Sequence, residues 1–474
     1  MTLLAILAAS VVTAQKPGYE IKITFKPFKN QYIYLGHYFG KTYPIVDSAK
    51  LDDKGVAVFK GKQALPGGIY LIGYPNKASF FEILIDREQH FSIIADTATI
   101  AKGIKSVNSR DNELFVQYQQ FMNGKGREIT AVQKSMKGAS PADSAKYAAE
   151  LVKLDKIVTD YRENLIKDNP GSLLTALLMC MREPELKGRL KNPTNKTDST
   201  DAYVYFKNHF WDGMSFWDGR LAYTTFFEEK LDKYFNQLVV PQPDSIIREI
   251  DYMLSYSVIN EEMHRFLLVK FINRYLNQKY MWEDKIFVHL FEKYFATKNY
   301  PWLTEKGRKV ITDRAYSLMA NIMGTPASDI ELPDSTGNLV TLYAQNADYT
   351  VVVFWDPTCG HCKEVLPKLD SFYAHKWKSL GVKMYAVAKE TDGTKKDWLD
   401  FINKEHLSEW AHVYYSKADD KARTDAGIPG YAQLFDVQSY PTLYLLDKEK
   451  RIVAKKLAYD QIDEVLKLKV KSSN

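Results

Sequence analysis

The sequence predicts a multidomain α+β protein: an N-terminal antiparallel β domain, a central irregular α-helical domain and a C-terminal α/β domain. Three observations predict it. Residues 19–100 are short runs rich in β-branched and aromatic residues, punctuated by Gly, Pro, Asn and Asp. Residues 104–322 carry apolar positions at helical spacing, interrupted by prolines. From 324 onward, strand-like and helix-like segments alternate, the order of a sheet flanked by helices. The 474 residues suffice for several domains of about 100–200 residues each.

In the first region the strand segments are "YEIKITF", "QYIYLGHYFG", "GVAVFKG", "GIYLIGY", "FFEILID" and "HFSIIAD". Short strands at this spacing predict a β-sandwich-like domain over 15–103. In the second region, Leu151, Leu154, Ile157, Val158, Tyr161 and Leu165 share a face, as do Ile286, Phe287, Leu290, Phe291, Tyr294 and Phe295. A helical domain without a regular repeat is expected over 104–322. "HFWDGMSFWDGR", residues 209–220, stands out because Phe-Trp-Asp-Gly occurs twice. It reads as two turns pinned to the core by Trp211 and Trp217, or as an aromatic docking surface with His209, Asp212 and Asp218 near a metal.

Composition and termini narrow the function. A hydrophobic fraction of 45% with 26% charged residues is that of soluble globular proteins, and the net charge of +6 is spread along the chain. No dense basic block points to nucleic acid. The N-terminal apolar run is too short to span a bilayer and ends in Val12-Thr13-Ala14, the small residues a signal peptidase accepts. Residues 1–14 are therefore expected to be a cleaved leader. No Cys follows it, so a lipid anchor is not expected, and no other segment reads as a membrane span.

Export implies an oxidising compartment, yet the three cysteines cannot staple a chain of this size. Cys180 lies among apolar neighbours at helical spacing and reads as a buried, inert thiol. The other two stand in "WDPTCGHCK", residues 355–363. A structural zinc site needs about four ligands, and no second C-x-x-C or H-x-x-x-H accompanies this one. A bridge closing so short a loop gains little entropic stabilisation. Redox exchange fits the context. Cys359 follows the buried strand "YTVVVFW" and opens a helix, where unpaired N–H groups favour a thiolate. Gly360 is expected to keep the turn open, and His361 to stabilise charge on sulfur. Cys362 falls one turn in, on the apolar side, placed to attack a mixed disulfide.

With those residues in place, 323–474 resembles a thioredoxin-like domain of the TlpA/ResA periplasmic disulfide-reductase type, within the alkyl hydroperoxide reductase/thiol-specific antioxidant (AhpC/TSA) superfamily. The resemblance is carried by "GTPASDIELPDSTGNLVTL", "VVVFWDPTCGHCKEVLPKLDSF", "VKMYAVAKE" and "VQSYPTLYLLD". The two preceding regions are similar to Bacteroidetes accessory β and helical domains. The resemblance implies a thiol–disulfide oxidoreductase of the periplasm or cell envelope of a Gram-negative bacterium. It implies no bound cofactor beyond a redox-active Cys359–Cys362 disulfide. Its partners would be cysteine-containing substrate proteins and an upstream dithiol donor or acceptor. Tyr440-Pro441 matches the family's cis-proline, and Glu390 the acid thought to handle the buried cysteine's proton. Trp355, Gly360, His361, Tyr440 and Pro441 would support the site or meet substrate.

The Gly-His dipeptide is that of protein disulfide isomerases and makes the couple more oxidising, so the direction of electron flow stays open. Asp356-Pro357-Thr358 departs from the family's usual small residue and Trp. A thiol peroxidase is the weaker enzyme reading: its P-x-x-x-[ST]-x-x-C would need Thr or Ser at Asp356 and Pro at Val352. An envelope binding or scaffold protein with a secondary redox domain is the other alternative.

Overall fold

The computed structural model describes residues 18–100, 103–392, 394–407 and 409–473. The expected leader lies outside them. Two compact units emerge. The first takes the described residues up to Val240 with Glu249–Leu268, and the second takes Pro241–Arg248 with the residues from Val269 onward. No helix among the described residues is long and apolar enough to cross a membrane.

The first unit opens with eight strands: β1 (Tyr19–Lys26), β2 (Tyr32–His37), β3 (Ile45–Lys50), β4 (Val56–Gly61), β5 (Gly68–Gly73), β6 (Phe80–Ile85), β7 (His90–Asp96) and β8 (Lys105–Val107). They form two four-stranded sheets, β4-β1-β7-β8 and β3-β2-β5-β6. Alternation decides their faces: Ile21, Ile23 and Phe25 of β1 point inward, and join Ile33, Leu35, Tyr70 and Ile83 of the other sheet in one core. Six strands are legible in the sequence; β3 and β8 are additional. The pairing is antiparallel except for β1 with β7, which is parallel.

Helices follow: α1 (Arg110–Met136), α2 (Pro141–Asp168), α3 (Leu173–Met181), α4 (Lys196–Asn208) and α5 (Thr225–Lys233). The first four start at Ser109, Ser140, Ser172 and Asn195, whose side chains accept an N–H of the first turn. Ile69 and Leu84, on the outer face of β5 and β6, pack on Leu114 and Phe115 of α1 and on Leu173 and Leu177 of α3. Asn112 pairs both ways with the backbone of Leu84, at 2.8 and 2.7 Å. Two further helices, α6 (Pro243–Ser257) and α7 (Glu261–Leu276), contribute residues to both units.

The repeated Phe-Trp-Asp-Gly is anchored by its phenylalanines, not by both tryptophans. Phe210 and Phe216 are buried, whereas Trp217 is 47% exposed. His209 pairs with Asp212 at 2.7 Å, while Asp218 turns to Arg220. Their pairing is internal, and no cluster of three or more metal-ligating side chains occurs among the described residues.

The second unit contains α8 (Asp284–Leu290) and α9 (Glu305–Met319), then the hairpin β9 (Glu331–Pro333) and β10 (Leu339–Thr341). There follow β11 (Tyr349–Trp355), α10 (Gly360–Phe372), β12 (Val382–Lys389), α11 (Lys395–Lys404), β13 (Ala411–Tyr415), α12 (Lys417–Asp425), α13 (Tyr431–Leu434), β14 (Thr442–Asp447), β15 (Ile452–Lys455) and α14 (Tyr459–Ser473). The sheet order is β13-β12-β11-β14-β15, parallel among β13, β12 and β11 and antiparallel at β14 and β15. Both faces of β11 are covered, which explains its unbroken apolar run. Val351, Val353 and Trp355 meet Leu366 and Leu369 of α10 and Leu466 of α14. Val352 and Phe354 face the opposite way, to Tyr385, Val413, Phe435 and Tyr444. β11 thus ends, and α10 begins, at the carboxyl edge of a parallel sheet, where such folds place their sites.

Candidate active site at the start of α10

Cys359 is the N-cap residue of α10 and is partly exposed. Its N–H donates to the Asp356 carbonyl at 3.1 Å, and its own carbonyl accepts the Lys363 N–H at 3.2 Å, closing the first helical turn. Its Sγ faces the carbonyl oxygen of Tyr440 at 3.8 Å. The Tyr440–Pro441 bond is cis. A loop 81 residues away in sequence is thus brought against the first sulfur.

Cys362 sits one turn on, fully buried in the cluster with Trp355, Leu366 and Leu369. Burial pushes its thiol well above the ordinary range; the Cys359 sulfur and the Asp356 charge push the same way, and the Asp356 backbone works against them. One sulfur therefore meets solvent at a helix N-terminus and the other is kept as a thiol beneath it.

Trp355 is fully buried and packs against Phe401, the ring centroids 5.4 Å apart and the planes tilted by 49°. Gly360 is exposed, and a Cβ there would meet no atom within 4 Å. A side chain at this position would project into open space. His361 is exposed and borders a groove of about 460 Å³ that also runs along Pro441.

Glu390 lies just past β12, whose Ala388 pairs with Trp355. Its carboxylate accepts the Lys417 N–H at 3.0 Å, at the first residue of α12. A second carboxylate, that of Asp356, lies beneath the cysteine loop. It is 7% exposed. It accepts the Thr358 N–H and hydroxyl, each at 2.7 Å, and the Thr391 hydroxyl. Burial raises its carboxyl, but these donors outweigh burial and hold it below the usual range. Burial and the nearby Asp356 charge push the Tyr440 phenol up to about 12. An acidic residue before Pro357 was the available signal, but its threonine partner lies 35 residues away.

The loop bearing Tyr440 is held from behind. Asp436, 3% exposed, accepts from Arg314 at 2.5 Å, Gln438 at 3.0 Å, Ser317 at 3.1 Å and from Lys456. Next to it, buried Lys455 donates to Asp284 and to the carbonyl and side-chain oxygens of Asn321, the last two at 2.6 Å. Burial works against charge on Lys455 and on Asp284 alike, lowering the one and raising the other, and the pairing offsets it only in part. Residues from α8 and α9 thereby neutralise charges in the C-terminal domain.

Residues 323–455 match the model of the AhpC/TSA family, and residues 188–320 match a domain of unknown function (DUF5106). No curated protein matches the chain. Among solved structures, the chain is similar to a domain of a possible thiol-disulfide isomerase from Cytophaga hutchinsonii. The identity is 32%, covering 32% of this chain and 95% of that one, with a TM-score of 0.28. A thioredoxin-like protein from Bacteroides caccae aligns at 20% identity over 61% of this chain and 98% of its own, TM-score 0.44. A thiol:disulfide interchange protein from a Bacteroides species aligns at 28% identity over 31% and 93%, TM-score 0.27. Through residues 323–455, where a cysteine-capped helix follows the central strand of a five-stranded sheet, the chain belongs to the AhpC/TSA family, with a thioredoxin-like fold of the thiol–disulfide oxidoreductase kind.

Proposed function

We propose that the protein exchanges disulfides with cysteine-containing proteins of the cell envelope, as a reductase or isomerase, after export to the periplasm. The observation that carries this reading is the inequality of the two thiols: Cys359 partly exposed at a helix N-terminus, Cys362 fully buried one turn below. The Cys359 thiolate attacks one sulfur of a substrate disulfide. The substrate S–S bond breaks, its other sulfur leaves as a thiolate, and a mixed disulfide forms. Cys362 then loses its proton, attacks the Cys359 sulfur and releases the second substrate thiolate, leaving a Cys359–Cys362 disulfide. An upstream dithiol returns two electrons in the reductase direction, and the steps run backwards for oxidation. We assign the Cys362 proton to Glu390. Its position just past the strand paired with Trp355 supports this, as do the three donors that hold Asp356 ionised and make it a weak base.

The test is trapping. Cys362→Ser, incubated with envelope extract, accumulates mixed disulfides visible on non-reducing electrophoresis; Cys359→Ser does not, and Cys180→Ser behaves as the parent. Trapping by Cys359→Ser alone reverses the roles, and trapping by neither removes thiol exchange as the function.

A further inference from the structure

The groove beside the cysteines has a charge of its own. Its α10 wall is made by His361, Val365 and Lys368, which recur on one helical face. Its opposite wall is the stretch around Pro441 and Lys456. Asp436 is the one carboxylate among the lining residues. That carboxylate is buried and already shared between Arg314 and Lys456. Lys368 is exposed and makes no ion pair among the described residues. Two lysines, Lys368 and Lys456, therefore line the groove against one carboxylate that Arg314 also pairs, and a concave wall concentrates such a field.

The backbone supports the same reading. Asp436 and Lys456 both adopt left-handed conformations, with φ of 44° and 59°. Non-glycine residues take these seldom, and such outliers gather at functional sites. Here the two residues are ion-paired at the groove, and the Lys456 N–H is fixed on the Leu443 carbonyl at 2.7 Å. Lys456 is thus set in place by a network that reaches α9 through Arg314 and Ser317.

Resting on the exchange function proposed above, we infer that this groove selects substrate segments bearing an acidic side chain near the reacting cysteine. The spacing follows from geometry. Lys368 lies nine residues beyond Cys359, about 13 Å along the helix axis. An extended chain covers that distance in about four residues. The favoured substrate carries Glu or Asp about four residues from its cysteine.

The experiment uses the full chain and three synthetic disulfide peptides that differ only in Glu, Gln or Lys at the fourth residue from the cysteine, on either side. The Glu peptide is expected to exceed the Lys peptide in kcat/KM by about threefold to tenfold at low salt, and the ratio to shrink as salt screens it. Lys368→Glu is expected to invert the order, and Lys456→Gln to reduce the ratio. Lys448→Glu, an exposed change on the turn about 20 Å away at the other end of β14, leaves it alone. Equal rates for the three peptides with the parent protein, or a Glu preference that survives Lys368→Glu, overturn the inference while leaving exchange intact. No exchange with any peptide overturns the exchange function and this inference with it.

Discussion

At the scale of single residues, the pair of sulfurs is governed by what lies within one turn of each. Asp356 is central to that neighbourhood, and its charge has a calculable consequence. Its carboxyl is held below the usual range, because the Thr391 and Thr358 donors outweigh burial. A carboxyl depressed by folding adds stability above its unfolded value of about 3.9, and that stability is lost as pH falls through the folded value. Asp356→Asn should therefore cost about 1–3 kcal/mol near neutral pH and much less in acid; urea denaturation at the two pH values measures the difference. Glu390→Gln should act differently. It should slow release of the mixed disulfide at least about tenfold and flatten its pH dependence, without changing the first attack, and single-turnover kinetics separates the two steps. The cysteines were legible in the sequence because C-x-x-C after an apolar strand has few other meanings. Asp356 was not, since an acid before proline reads as an ordinary turn until Thr391 closes over it.

At the scale of elements, the C-terminal sheet depends on helices that precede it. Asp284 of α8 is 1% exposed and Lys455 of β15 is 3% exposed. Removing one partner strands a buried charge. Asp284→Asn should destabilise the second unit by about 3–5 kcal/mol, whereas the double change Asp284→Leu with Lys455→Met should recover much of it. Denaturant midpoints of the single and double variants decide. Periodicity in the sequence revealed the long helices and the apolar strands, where one face or both are buried. It missed β13 and α12. Ala411 and His412 are only half-buried, and α12 has no fully buried residue, so neither shows a clean apolar pattern. Nor could periodicity show that β1 lies parallel to β7, because alternation fixes a strand's face and says nothing of its neighbour.

At the scale of the whole molecule, three thiols report on two units. Cys180 belongs to the first unit, is 2% exposed, and burial pushes its thiol up to about 12. Cys359 and Cys362 belong to the second. Mass spectrometry after brief alkylation of the reduced native protein should find one label, on Cys359; denaturation should expose the other two. A native label on Cys180 would show that α3 opens independently. The division into units also differs from the division by family. The AhpC/TSA match begins at residue 323, yet Asp436 and Lys455 inside it are ion-paired with Arg314 and Asp284 before it, and Lys455 also donates to Asn321. What natural history can copy from one gene to another is consequently longer than what recognition can see. A chimera spliced at 323 carries over Lys455 without its counter-ion and leaves Asp436 with Lys456 alone, whereas a transplant that includes α8 and α9 brings Asp284 and Arg314 with it.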